Sequence, residues 1–113
     1  MQTTEKNNHA GYLSKVELEN TTILNIFTKA GGYRGGKIYS EEKTFLILSG
    51  EVEVTTYEGE QDRVRKYNNS DGLITIPAHI PNIFYFPKDS EMLEWFRKNV
   101  KTERYERYSE MKK

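Results

Sequence analysis

The sequence has no cysteine, only two histidines and only three prolines. Without cysteine there can be no disulfide, no thiolate nucleophile and no cysteine-ligated metal. Excess charge of either sign is also missing, since 17 Lys and Arg stand against 17 Asp and Glu. No whole-molecule field therefore draws the chain to nucleic acid or to an anionic membrane, and neither is expected as a partner. No apolar run approaches the roughly 20 residues of a membrane-spanning helix. The opening Met1-Gln2-Thr3-Thr4-Glu5-Lys6 lacks the basic-then-apolar order of a secretory signal, so a cytoplasmic location is the expectation.

Aromatics are plentiful: eight Tyr, five Phe and one Trp in 113 residues of which only 35% are apolar. They suit strands and half-buried surfaces better than helix cores. The length fits one compact domain. The clearest signal is Phe45-Leu46-Ile47-Leu48-Ser49-Gly50-Glu51-Val52-Glu53-Val54. A continuous apolar run, a Ser-Gly break and an alternating Glu/Val stretch read as a hairpin: a buried strand, a tight turn on Gly50 and a strand with one wet face. Further short strands are expected around 21–28, 63–67, 73–76, 83–86 and 91–96, with turns at 58–62, 68–72 and before Pro77, Pro81 and Pro87. About eight short strands with closely spaced turns predict an all-β barrel or sandwich.

Three other segments carry expectations. The first ten residues are polar and expected to be loosely held. Residues 29–36 contain Gly31, Gly32, Gly35 and Gly36 and read as a loop. Their spacing fits neither a P-loop nor a dinucleotide fingerprint, so the bland reading of a β-connection is preferred. From Arg97 onward Lys and Arg outnumber Glu, and Tyr105, Tyr108 and Met111 recur at intervals of three. That spacing predicts a short helix or arm laying its tyrosines on the barrel.

Gly50-Glu51-Val52-Glu53-Val54, followed by Asp71-Gly72-Leu73-Ile74-Thr75-Ile76-Pro77-Ala78-His79-Ile80-Pro81-Asn82-Ile83-Phe84, resembles the two motifs of the cupin family. The resemblance spans roughly residues 22–96, and its most specific part runs from Gly72 through Pro77 and Pro81 to Phe84. It implies an all-β double-stranded β-helix, a jelly-roll barrel over about residues 12–96 with an arm over 97–113. Metal-binding cupins carry two His, a carboxylate and a third His. Those positions fall here on Lys37, Tyr39, Lys43 and Asn82. A divalent ion needs neutral imidazoles or carboxylates, so no metal and no cofactor is expected.

If Lys37, Tyr39, Lys43 and Asn82 replace inward-facing ligands, as the resemblance implies, they point into the barrel mouth, and strand alternation puts Phe84 on the same face as Asn82. Two amines, a phenol, an amide and an aromatic suit an anionic or carbohydrate-type small molecule. A filled barrel, with Lys37 and Lys43 reaching solvent along their stems, is the bland alternative. Metal-free cupins also include sugar-nucleotide isomerases and epimerases. For such chemistry Tyr39 would be the acid, and Lys43, desolvated beside Lys37, the base. His79, between two prolines, reads first as a rim residue bonded to backbone and second as a catalytic base. His9 lies in the polar N-terminus. A homodimer is expected, with residues 12–19 as the edge offered to a second chain. The pocket depends on register: one residue of slip before Gly50 would turn Lys43 outward.

Overall fold

The computed structural model describes residues 2–8 and 11–112. Eleven strands form two antiparallel sheets. One is β1 (Gln2–Asn8), β2 (Gly11–Glu17), β3 (Thr21–Thr28), β10 (Ser90–Arg97), β5 (Lys43–Ser49) and β8 (Leu73–Ile76), in that spatial order. The other is β11 (Thr102–Arg104), β4 (Gly32–Tyr39), β9 (Asn82–Phe86), β6 (Glu51–Glu58) and β7 (Gln61–Asn68). A short helix α1 (Glu106–Ser109) and a 3₁₀ turn (Glu110–Lys112) end the described chain. The all-β jelly-roll expectation holds.

The expected hairpin at 45–54 does not. β5 pairs with β10 and β8, whereas β6 pairs with β9 and β7. Gly50 carries the chain from one sheet to the other. A tight turn between two strands looks the same in sequence whether the strands then pair or pack face to face. β6–β7 is a tight hairpin, closed by Gly59 and Glu60, both at positive φ (59° and 63°) as a two-residue turn of this hand requires.

Alternation builds the interior. Lys43, Phe45 and Ile47 of β5 are buried, as are Met92 and Glu94 of β10, Val52 and Val54 of β6, and Phe84 and Phe86 of β9. Phe45 meets Phe84 edge-on at 4.9 Å. With Ile26 and Ile76 these side chains make one core between the sheets.

The glycine segment is turn only through Gly31; from Gly32 on it is strand, not loop. β4 runs through it, and its register against β9 slips between Gly35 and Lys37. Gly35 and Gly36 both have positive φ (94° and 81°), which makes the slip a bulge. A Cβ on Gly36 would sit 3.1 Å from Ser109 Cα, so the missing side chain also makes room for the C-terminal arm.

The N-terminal residues differ from expectation as well. β1 pairs with β2 from Gln2–Glu17 to Asn8–Gly11. β2 is thus bonded on both sides, by β1 and β3, and residues 12–17 present no open edge to a second chain. His9 lies outside the described residues.

In the arm, β11 pairs with β4 before α1 packs on the same strand. Tyr108 is buried, donates its hydroxyl proton to Asp62 Oδ1 at 2.6 Å and meets Tyr105 edge-on. Met111 is 43% exposed. The helix gives way to a 3₁₀ turn after Ser109, so the spacing of three no longer keeps Met111 on the tyrosine side.

Candidate functional site

Lys43 opens β5 and points inward because Phe45 and Ile47 do. Only 2% of it is exposed. Its Nζ lies 3.4 Å from Glu94 Oε1, 4.3 Å from the Tyr39 ring centroid and 4.7 Å from that of Phe84. Burial holds the Lys43 ammonium below the ordinary lysine range, and Glu94 opposes that shift. Burial first, and the Glu94 charge second, push the Tyr39 phenol well above its ordinary value. Tyr39 is therefore a neutral hydrogen-bond donor at any physiological pH.

These groups border a cavity of about 170 Å3. Leu13, Leu24, Ile26 and Phe84 give it an apolar wall, and Arg34, Lys37 and Lys112 join Lys43 as cations around it. Arg34 is fixed by two bonds: Nε donates to Thr28 Oγ1 at 3.0 Å and Nη2 to the Phe27 carbonyl at 2.9 Å. Lys112 Nζ donates to the Gly35 carbonyl at 3.0 Å. The ion pairs among the described residues include none of Arg34, Lys37 and Lys112. Among the described residues Glu94 is the only carboxylate on the wall, and buried Lys43 already engages it.

No family profile and no curated protein sequence matches the chain. Solved structures do. A variant of oxalate decarboxylase from Bacillus subtilis superposes with a TM-score of 0.75 at 20% identity, over 84% of this chain and 27% of that one. A second variant gives 0.76 at 20% identity, over 87% and 29%. The fold is that of the cupins. The chain spans less than a third of the length of these neighbours. A further structure of the same enzyme, described for its Mn(II) centres, matches with a TM-score of 0.74 at 20% identity, over 84% and 27% of the two chains.

In this cupin barrel, Lys37, Tyr39, Lys43 and Phe84 border one cavity, with Lys43 deep and Lys37 exposed at the mouth. The filled-barrel picture, with both lysines running out to solvent, does not describe Lys43. Nor is Lys37 the cause of the Lys43 shift: burial is. Asn82 is buried on the inward face of β9 but is not on the cavity wall. Its Nδ2 donates to the Ile80 carbonyl at 3.2 Å, and its Oδ1 has no partner among the described residues. His79 is exposed on a turn at φ 67°, and its backbone N–H donates to the Tyr39 carbonyl at 2.8 Å. Its ring is not on the wall, so no imidazole of the described residues stands beside Tyr39 and Lys43 there.

The donor set does not fit a divalent metal. One carboxylate, already tied to an ammonium and faced by further cations, would bind such an ion against strong repulsion. Among the described residues no three His, Asp or Glu side chains gather.

Glu94, Arg34 and Lys112 were not singled out by sequence. Glu94 shares the parity of Met92, which is a usable inward signal, but the larger Leu93 and Trp95 on the opposite face mask it. Arg34 sits among glycines that read as a loop. Lys112 reaches the cavity only because the arm folds back. A second cleft, of about 300 Å3, lies beside Phe45, Tyr67 and Ile74, but its Thr56, Glu58 and Arg65 satisfy one another.

Proposed function

We propose that the cavity binds a small organic anion, held by protein cations rather than through a metal. One observation carries this reading: Arg34, Lys37 and Lys112 converge on a cavity whose only carboxylate among the described residues is already paired. An anion there would replace like-charge repulsion with charge-assisted hydrogen bonds, and the half-buried Arg34 guanidinium, its Nε and Nη2 engaged by Thr28 and Phe27, keeps the Nη1 donors for a carboxylate. A volume of about 170 Å3 falls below the roughly 300–1,000 Å3 of sites for drug-sized ligands. A nucleotide sugar is larger than this volume, which counts against the isomerase reading, and no imidazole of the described residues stands on the wall. The carbohydrate reading is weakened because Asn82, expected to bond hydroxyls, is not on the wall. The neighbours named oxalate decarboxylase act, by that name, on a small dianion, which agrees with the size and charge class favoured here.

Thermal melts of the full chain with oxalate, malonate or neutral oxamide, at constant ionic strength, test this. A specific ligand at 100 times its Kd should stabilise by about 2.7 kcal/mol. Oxalate or malonate should raise the melting temperature, while oxamide leaves it unchanged. Lys37 is exposed, so Lys37→Met should fold normally and bind about three- to tenfold more weakly, in keeping with the loss of one partly screened charge. Equal stabilisation by oxamide, or unchanged oxalate affinity in the variant, would reject the reading.

A further inference from the structure

We infer that the C-terminal arm is part of the binding site: an anion in the cavity locks the arm down through Lys112, and arm and ligand bind cooperatively. The inference rests on the anion reading above and goes beyond it in coupling ligand binding to the docking of the arm.

The arm is anchored before it reaches the cavity. Tyr105 N–H donates to the Gly36 carbonyl at 3.0 Å, Ser109 Oγ donates to the same carbonyl at 2.9 Å, and the buried Tyr108 hydroxyl reaches Asp62. All of these grips lie upstream of Lys112. Past them, the last turn carries an ammonium onto a wall that already holds Arg34 and Lys37. Lys112 Nζ has three donors and is given one acceptor, the Gly35 carbonyl, at the bulge that opens the wall. Burial, and the charges of Lys37, Arg34 and Arg104, hold the Lys112 ammonium below the ordinary lysine range. Arg104 has carboxylates of its own, Glu106 at 3.1 Å and Glu110 at 3.8 Å. None of the ion pairs found among the described residues involves Arg34, Lys37 or Lys112.

The docked arm therefore carries an electrostatic cost concentrated at its tip, while its favourable contacts lie further back. An anion between Arg34, Lys37 and Lys112 removes that cost. Whatever affinity Lys112 adds to the ligand, the ligand must return to arm docking, because coupling between two binding events is reciprocal.

The test uses the full chain and its Lys112→Gln variant, with oxalate as the probe. Calorimetry reads affinity, and hydrogen exchange at the amides of Tyr105, Tyr108 and Ser109 reads arm docking. In the wild type, oxalate should slow exchange at these amides severalfold. In Lys112→Gln, oxalate should bind about tenfold more weakly, a typical loss for one charge-assisted bond. The ligand-free arm should then exchange more slowly than in the wild type, because the like charge is gone, and oxalate should no longer slow it. A merely structural Lys112 predicts the opposite for the ligand-free arm: faster exchange once the bond to Gly35 is lost. Oxalate affinity and exchange unchanged by Lys112→Gln would overturn the coupling and leave the anion site standing. A wild type that fails to bind oxalate, malonate or acetate would overturn both.

Discussion

Glu94→Gln is expected to destabilise the barrel by about 3–5 kcal/mol, the usual cost of removing one partner from a buried ion pair. Lys43 and Glu94 are both essentially out of water, with side-chain exposures of 2% and 5%. At 3.4 Å the pair is stretched for a hydrogen bond, so most of its value lies in charge compensation. Gln keeps the shape and removes the charge, leaving the Lys43 ammonium with only the faces of Tyr39 and Phe84. The loss should depend on pH. The folded-state pKa of Lys43 is depressed by burial, and Glu94 opposes that depression, so its removal depresses it further. Between the depressed folded value and the ordinary unfolded one, the unfolded chain binds more protons, so stability rises with pH across that window. In Glu94→Gln the rise should begin at lower pH than in the wild type. The double change Lys43→Met with Glu94→Leu, which removes both charges, should regain most or all of the loss. Urea melts at several pH values measure all of this. A Glu94→Gln protein within 1 kcal/mol of wild type at neutral pH, by roughly the threshold that separates surface from buried pairs, would show that the pair is not buried. The same reasoning makes Lys43→Ala a poor probe of ligand binding, because it strands Glu94 instead.

Gly50→Val should cost more than about 4 kcal/mol, or prevent folding, for two independent reasons. Gly50 has φ 86°, where a β-branched residue is heavily strained. A Cβ at this position would also collide with Ser90 Oγ and lie 2.5 Å from the Asp89 carbonyl oxygen. Ser90 cannot simply move aside. Its hydroxyl accepts from Glu51 N–H at 3.0 Å and lies 2.8 Å from the Lys88 carbonyl, tying the β5–β6 crossover to the start of β10. Gly50→Ala is the gentler variant, and it should still lower the melting temperature clearly. An alanine variant melting with the wild type would mean that the crossover is not packed against Ser90 as described.

Much of the fold could be read from local pattern. Alternation in Phe45 and Ile47 agrees with an inward Lys43, and Pro77 and Pro81 placed the break between β8 and β9. What could not be read was which sheet each strand joins, because a turn at Gly50 closes a hairpin and a crossover equally well. The site was legible only in part. Lys37, Tyr39 and Lys43 follow from the resemblance to cupin ligand positions, and Phe84 from alternation along β9. Glu94 depends on β10 lying beside β5, and Arg34 on a bulge that needs Gly35 and Gly36 at positive φ. Lys112 depends on a chain reversal that brings residue 112 to residue 35. These are long-range pairings, and no window of neighbouring residues encodes them.

The cavity's role is tested most directly by an amide NMR titration of the full chain with oxalate at fixed ionic strength. Binding at the proposed place predicts saturable shifts at Gly35, Gly36 and Lys37 and at Tyr105, Tyr108 and Ser109, none of which oxamide reproduces. Shifts that grow linearly with concentration and scatter over the exposed Arg63, Lys66 and Lys98, leaving the β4 bulge unmoved, would contradict it.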